Sequence, residues 1–214
     1  MTQKSRASIH YIENDFPITD LSNPAWAVAE AAVIDSYWNA KPAPLGSHVS
    51  AKLLWSETYL YVLFQANRGE PLVISDDPVL HKKTMSLWDR DVCEIFIGPD
   101  KNEPRRYFEF EVAPTGEWID LIIDLRSGER FTDWDYMSAM EAAAKIESDK
   151  ALMAMKVPFR SLGQMPKAGD MWVGNLFRCT GKEPDRGYLS WSPTMTDTPS
   201  FHEPDRFGEF EFVK

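Results

Sequence analysis

Apolar residues in this chain fall in short runs, many alternating with polar ones at a period of two and separated by Gly, Pro, Asn and Asp. That alternation marks half-buried strands. It predicts strands over Ser8–Ile12, His48–Ser56, Tyr59–Ala66, Asp91–Gly98, Arg106–Ala113 and Trp118–Asp124. Five more follow at Ala142–Glu147, Leu152–Pro158, Trp172–Thr180, Tyr188–Trp191 and Phe207–Val213. Hairpin turns are expected at Trp55–Tyr59, Ala113–Gly116 and Ser148–Lys150. Helix is scarce. Pro24–Val33 is Ala-rich, with Ser22 or Asn23 as cap and Pro24 at the first position, and Arg160–Gly163 suits a single turn. Many strands and little helix predict an all-β fold: a two-sheet antiparallel β-sandwich, jelly-roll or immunoglobulin-like, with one or two short helices and a single domain over residues 1–214. Three longer connections, Gly69–Ser86, Asp124–Ser138 and Gly181–Pro204, are the places to look for function.

The segment Trp88–Ile97 changes this picture from architecture to chemistry. Strand periodicity puts Val92, Glu94 and Phe96 on one face and Cys93, Ile95 and Ile97 on the other. A glutamate amid hydrophobic neighbours needs a wet concavity or a partner group. Trp88, just outside the strand, stands where it can rim that concavity. A flat aromatic beside a carboxylate suits a sugar, whose C–H face stacks on the ring while its hydroxyls donate to the acceptor. The plain alternative is a core tryptophan and a surface carboxylate.

Two further segments add candidates. In Gly187–Thr194 a strand ends on Trp191, and Pro193 turns the chain out of the ladder, with Tyr188 three residues earlier. Trp191 facing Trp88 would form a slot for a pyranose ring; alternatively it plugs the core beneath the long loop. In Tyr107–Val112, Phe108, Phe110 and Val112 point one way and Tyr107, Glu109 and Glu111 the other. Glu109 and Glu111 then join Glu94 if the two strands are neighbours. Such a cluster accepts hydroxyls, holds calcium or performs acid–base chemistry, unless it is simply a solvated sheet face. Arg178 is the expected neutralising partner.

The 214 residues carry 23 basic and 33 acidic side chains, a formal charge of -10, and no Lys/Arg cluster overrides it, Arg105-Arg106 being too short. That disfavours nucleic acid and anionic membrane surfaces as partners. No apolar run is long enough for a membrane helix. Glu13 and Asp15 interrupt the N-terminal segment where an export signal needs its apolar core. Cys93 and Cys179 read as buried reduced thiols, with a disulfide between neighbouring strands the lesser alternative. His10, His48, His81 and His202 are isolated, so no histidine metal motif exists; Asp76-Asp77 and Asp89 with Asp91 are weak calcium candidates. No nucleophile motif, phosphate loop or Cys-x-x-Cys site appears, and no catalytic residue is assigned.

The ordered segments LWDRDVCEIFIGPD, RYFEFEVAPTGEWIDL, WVGNLFRCTG, YLSWSPT and FHEPDRFGEFEF resemble the family 9 carbohydrate-binding modules, members of the wider DOMON-like set, from about Trp26 to Phe212. The resemblance implies a non-catalytic sandwich that clamps a mono- or oligosaccharide between two tryptophans, here Trp88 and Trp191, and serves carbohydrate catabolism. Glu94 matches a polar contact of that family, with Arg178 and Tyr188 as further readers of hydroxyls. Glu109 and Glu111 stand where such modules often place an arginine and an amide, and Tyr188 where an amide is expected; these are departures from the pattern. Calcium is a candidate cofactor, since some relatives bind it. A secreted or periplasmic setting is implied if a leader has been removed. The alternatives are a small glycoside-processing enzyme using the clustered glutamates, a haem-binding DOMON-like domain, and an acidic protein-interaction platform.

Overall fold

The computed structural model describes residues 4–69 and 71–214. Met1–Gln3 of the basic N-terminal segment and Glu70 of the first long connection lie outside the described residues. In chain order the strands are β1 (Arg6–Tyr11), β2 (Ala31–Ile34), β3 (Val49–Trp55), β4 (Tyr59–Asn67), β5 (Val92–Gly98), β6 (Arg106–Val112) and β7 (Trp118–Asp124). They continue as β8 (Phe131–Asp133), β9 (Glu141–Ile146), β10 (Lys150–Pro158), β11 (Met171–Thr180), β12 (Gly187–Ser190) and β13 (Gly208–Val213), with one helical turn, α1 (Phe159–Leu162).

The strands curl into a β-sandwich in the order β8-β7-β6-β5-β11-β13-β1-β3-β4-β10-β9, with β12 beside β11 and β2 beside β3. One layer runs from β8 to β13 and the other from β3 to β9. Strand β1 is the seam. It pairs in parallel with both β13 and β3, and is the departure from the all-antiparallel expectation. The hairpin turns expected after β3, β6 and β9 connect antiparallel neighbours.

Alternation decides what each layer buries. Ile95, Ile97, Phe108, Phe110 and Leu176 of one layer meet Leu53, Val62, Phe64, Met153 and Met155 of the other. Each such side chain contributes about 1.5–3 kcal/mol by leaving water. At Gly174 on β11, an added Cβ would stand 2.1 Å from the Phe96 carbonyl oxygen and 2.6 Å from the Phe210 ring, so only glycine fits. The reverse face of β5, β6, β7 and β11 carries a second apolar cluster, including Phe96, Tyr107, Leu121, Ile123, Phe177 and Phe201. Long connections cover it.

The segment Pro24–Val33 departs from the expected helix. Only Pro24–Ala27 is helical, as a 3-10 turn whose first free N–H, that of Ala25, is capped by the Asn23 side chain. Alanines are good helix formers, but Ala32 and Ile34 are buried while Ala31 and Val33 are exposed. Pairing with β3 therefore overrides propensity. Cys93 and Cys179 are free and buried in different clusters, on opposite faces of the layer. Among the described residues no helix is long and apolar enough to cross a membrane.

Candidate functional site

A cavity of about 690 Å³ opens on the face of β5, β6 and β7 that carries the second apolar cluster. All three long connections reach it: Val73 from the first, Arg130, Thr132 and Trp134 from the second, and residues between Lys182 and His202 from the third. Its floor is the sheet itself.

Glu94, Glu109 and Glu111 rise from that floor. Glu94 lies directly across from Glu111 in the β5–β6 ladder, and Glu109 is two residues along on the same face. One carboxyl oxygen from each lies within 4.8 Å of the other two. All three residues are buried, and Glu111 is completely shielded. Neither oxygen of Glu111, nor Oε2 of Glu109, has a hydrogen-bond partner. Glu94 receives only a weak bond from the Cys179 thiol, at 3.6 Å. Burial is the main cause that raises all three carboxyls above their ordinary range, and mutual repulsion adds to it for Glu94 and Glu111. Glu109 is pushed up to about 7 by burial, opposed by its contact with the Glu111 carboxyl and by Arg130.

The aromatic part of the cavity is held by two half-buried cations. Trp88 sits on the 3-10 turn Leu87–Asp89, anchored by buried Leu87. The Arg186 guanidinium donates to the carbonyls of Trp88, Asp89 (2.9 Å) and Arg90 (3.0 Å), and to that of Gly181 (3.2 Å). Trp134 follows β8 in the second long connection. The Lys83 ammonium donates to the carbonyls of Trp134 (3.3 Å), Tyr136 and Asp120, and pairs with the Asp120 carboxylate at 2.8 Å. The two indoles then meet with centroids 6.2 Å apart and planes tilted by 42°. That spacing leaves no room for a ring between them, so together they form one bent aromatic wall.

Tyr188, Phe201 and His202 complete the lining. Tyr188 donates its hydroxyl to Glu183 at 3.1 Å, and Arg186 lies 5.4 Å over its ring. Phe201 stacks on Phe177. His202 stacks on Phe96 and bonds the Tyr107 hydroxyl at 2.8 Å. Burial, helped by Arg130, brings its pKa down to about 4, so it is neutral at physiological pH.

The structure thus gathers Trp88, Glu94, Glu109, Glu111 and Tyr188 in one cavity, and leaves out two residues expected there. Trp191 stacks on Phe210 (5.4 Å, 8°) against the inter-layer core, in the space left by Gly208, where an added Cβ would come within 2.4 Å of its ring. The slot between Trp88 and Trp191 does not form. Beyond β12 the chain is tied to β11 by the Trp191 N–H to the Leu176 carbonyl, and this directs the indole over β13. Arg178 faces away from the carboxylates, being paired across the ladder with Cys93 on the core side. Its guanidinium donates to the carbonyls of Ser47 and Asn67 at 2.9 Å and of His48 at 3.3 Å, and so ties the two layers together.

Sequence reasoning alone misses Trp134, Arg186, Phe201 and His202. The aromatic run Phe131-Thr-Asp-Trp-Asp-Tyr136 in a long connection is the available signal for Trp134. For calcium the floor fits poorly. Only one oxygen from each glutamate is close-set, so the rest of calcium's six to eight ligands would have to come from second carboxylate oxygens or water, and much of the surrounding lining is aromatic.

Known proteins share this architecture. The family described as "Carbohydrate family 9 binding domain-like" matches residues 20–214. The chain belongs to this carbohydrate-binding family. Among curated relatives of this family 9 chain, endo-1,4-beta-xylanase A of Thermotoga maritima is 24% identical over 192 residues, 85% of this chain but 16% of the xylanase. Endo-1,4-beta-xylanase C of Paenibacillus barcinonensis is 39% identical over 64 residues, 30% of this chain and 5% of that enzyme. The chain therefore spans about a sixth of the first xylanase or less. Among solved structures, a Bacteroides uniformis protein superposes with a TM-score of 0.78 at 19% identity, over 98% of this chain and 100% of that one. A family 9 module from Caldicellulosiruptor kristjanssonii in complex with cellotriose gives 0.65 at 18% identity, over 98% and 94%. At these identities the superpositions establish the shared fold.

Proposed function

We propose that the cavity binds a mono- or oligosaccharide without cleaving it. The observation that carries this reading is the bent wall of Trp88 and Trp134 standing beside a floor of three carboxylates. An indole face takes the axial C–H surface of a sugar ring, and carboxylates with free lone pairs take its polar groups. Family membership supports the reading, as do the relatives: a module of this fold is held in complex with cellotriose, another structure of it with glucose, and the xylanases act in polysaccharide breakdown. A role in carbohydrate catabolism follows.

The binding geometry is one-sided: the ring lies against the Trp88–Trp134 wall rather than between two plates. The carboxylates project from one sheet surface and meet the ligand from the same side. A glycosidase needs its two carboxyl groups flanking the scissile bond. Stacking on one wall is worth about 0.5–1.5 kcal/mol beyond contact area, which suits micromolar to millimolar affinity.

Titration calorimetry against a panel of neutral and amino monosaccharides and oligosaccharides tests this. Trp88→Ala is expected to weaken the best ligand at least tenfold and leave the thermal melt nearly unchanged. If no saccharide on the panel binds, or binding survives Trp88→Ala, the reading is wrong.

A further inference from the structure

We infer that the saccharide this cavity recognises carries a primary ammonium group, as in an amino sugar, seated on Glu94, Glu109 and Glu111. The inference rests on the saccharide reading above and names the ligand class.

The floor lacks a cation of its own. Among the described residues the ion pairs join other acids to other bases, and none brings a lysine or arginine nitrogen within 4.0 Å of these three carboxylates. The cations of the lining are committed or peripheral. Arg186 directs its donors to four backbone carbonyls, and Arg130 and Lys182 are exposed at the rim. Glu111 has both oxygens without a partner, is fully shielded, and lines the cavity. A buried carboxylate left in that state is costly unless a donor from outside completes it.

The spacing suits one nitrogen. A primary ammonium offers three donors and no acceptor. Three oxygens, each about 2.8 Å from a tetrahedral nitrogen, stand about 4.6 Å apart. The three oxygens lie no more than 4.8 Å from one another, close enough for one nitrogen to reach all three. A sugar hydroxyl offers a single donor and so completes one carboxylate oxygen where an ammonium completes three. A calcium ion would need second carboxylate oxygens or water beyond the three close-set oxygens, whereas an ammonium needs only those three. The Trp88–Trp134 wall and the rings of Phe96, Tyr188 and Phe201 add faces that attract a cation and pack a sugar ring.

The test compares methyl β-glycosides of glucosamine, N-acetylglucosamine and glucose by calorimetry on the whole chain at about pH 6 and physiological salt, where diffuse attraction to an acidic protein is screened. Monomers avoid the avidity of a polycationic oligomer. The glucosaminide should bind at least tenfold tighter than the glucoside, and N-acetylation should abolish that advantage. Glu111→Gln should reduce the preference to under threefold, with Glu94→Gln as the second variant if the first does not fold. Equal binding of glucoside and glucosaminide, with both lost in Trp88→Ala, overturns the ammonium assignment and keeps the saccharide reading. A simple alkylamine binding as tightly as the glucosaminide, or no glycoside binding at all, removes the saccharide itself. Calcium displacing the glucosaminide at micromolar concentration and raising the melt would assign the floor to a metal and overturn the inference.

Discussion

Buried acids on adjacent strands of one layer meet opposite fates. Asp120 on β7 is fully buried, with one carboxylate oxygen in an ion pair with Lys83 at 2.8 Å and the other accepting from the Ser138 N–H and hydroxyl at 2.6 Å each. Glu117, in the turn before β7, is held by Arg90 through both oxygens at 3.1 Å and by Thr115 at 2.9 Å. Glu94, Glu109 and Glu111 have no such partners. The paired acids fix where the loops run, since Lys83 also holds the Trp134 carbonyl and Arg90 lies beside Trp88. The unpaired acids do not stabilise the fold, and on the proposed reading they are held for a ligand. A carboxylate's burial therefore does not reveal its role, and its partners do.

The largest expected effect comes from breaking the paired side. Asp120→Ala leaves the Lys83 ammonium and two Ser138 donors without their acceptor, and should cost about 3–5 kcal/mol of stability in chemical denaturation. A loss below about 1 kcal/mol would erase the contrast between the two groups of acids.

Next is the pH dependence of the unpaired side. The folded pKa of Glu109, about 7, lies above its ordinary 4.5, so the folded state binds the proton more tightly than the unfolded one. Stability must then fall as pH rises from about 4.5 through 7, because ionisation is penalised only in the folded chain. At 1.36 kcal/mol per unit the loss is on the order of 3 kcal/mol. In Glu109→Gln the decline should be shallower across the same window. A melt that is flat or rises between pH 5 and 8 in the parent protein would contradict the floor as described.

A smaller effect separates the tryptophans. Trp134→Ala removes a half-exposed ring that packs on Trp88, and should weaken saccharide binding about three- to tenfold with little change in the melt. Trp191→Ala should do the reverse, lowering the melt through lost packing on Phe210 while sparing affinity. Smallest of all, Asp205→Asn breaks an exposed ion pair with Arg105 and should shift stability by less than about 1 kcal/mol.

Much of the floor is legible in the order of residues alone. The alternation in Val92–Ile97 and Tyr107–Val112 places Glu94, Glu109 and Glu111 on one side and Ile95, Phe108 and Phe110 on the other. The ladder joins those strands in that sense. The long connections also mark where the cavity lies. The strand Ala31–Ile34 stays hidden because alanines give no strand signal, and β8 because it spans only Phe131–Asp133. Charge alone suggests Arg178 as the partner of the carboxylates, but its parity matches the core face, where the structure puts it.

Strand periodicity is a local property, so the sequence by itself determined which side of the layer each glutamate occupies. It also determined the all-β class and the family, through residues close together along the chain. Which tryptophan stands beside Trp88 is a different kind of question. Trp134 and Trp191 sit in connections whose paths depend on distant anchors, Lys83 with Asp120 in one case and the bed of Gly208 and Phe210 in the other. Tertiary structure alone decided between them, because those anchors meet only once the layers have packed.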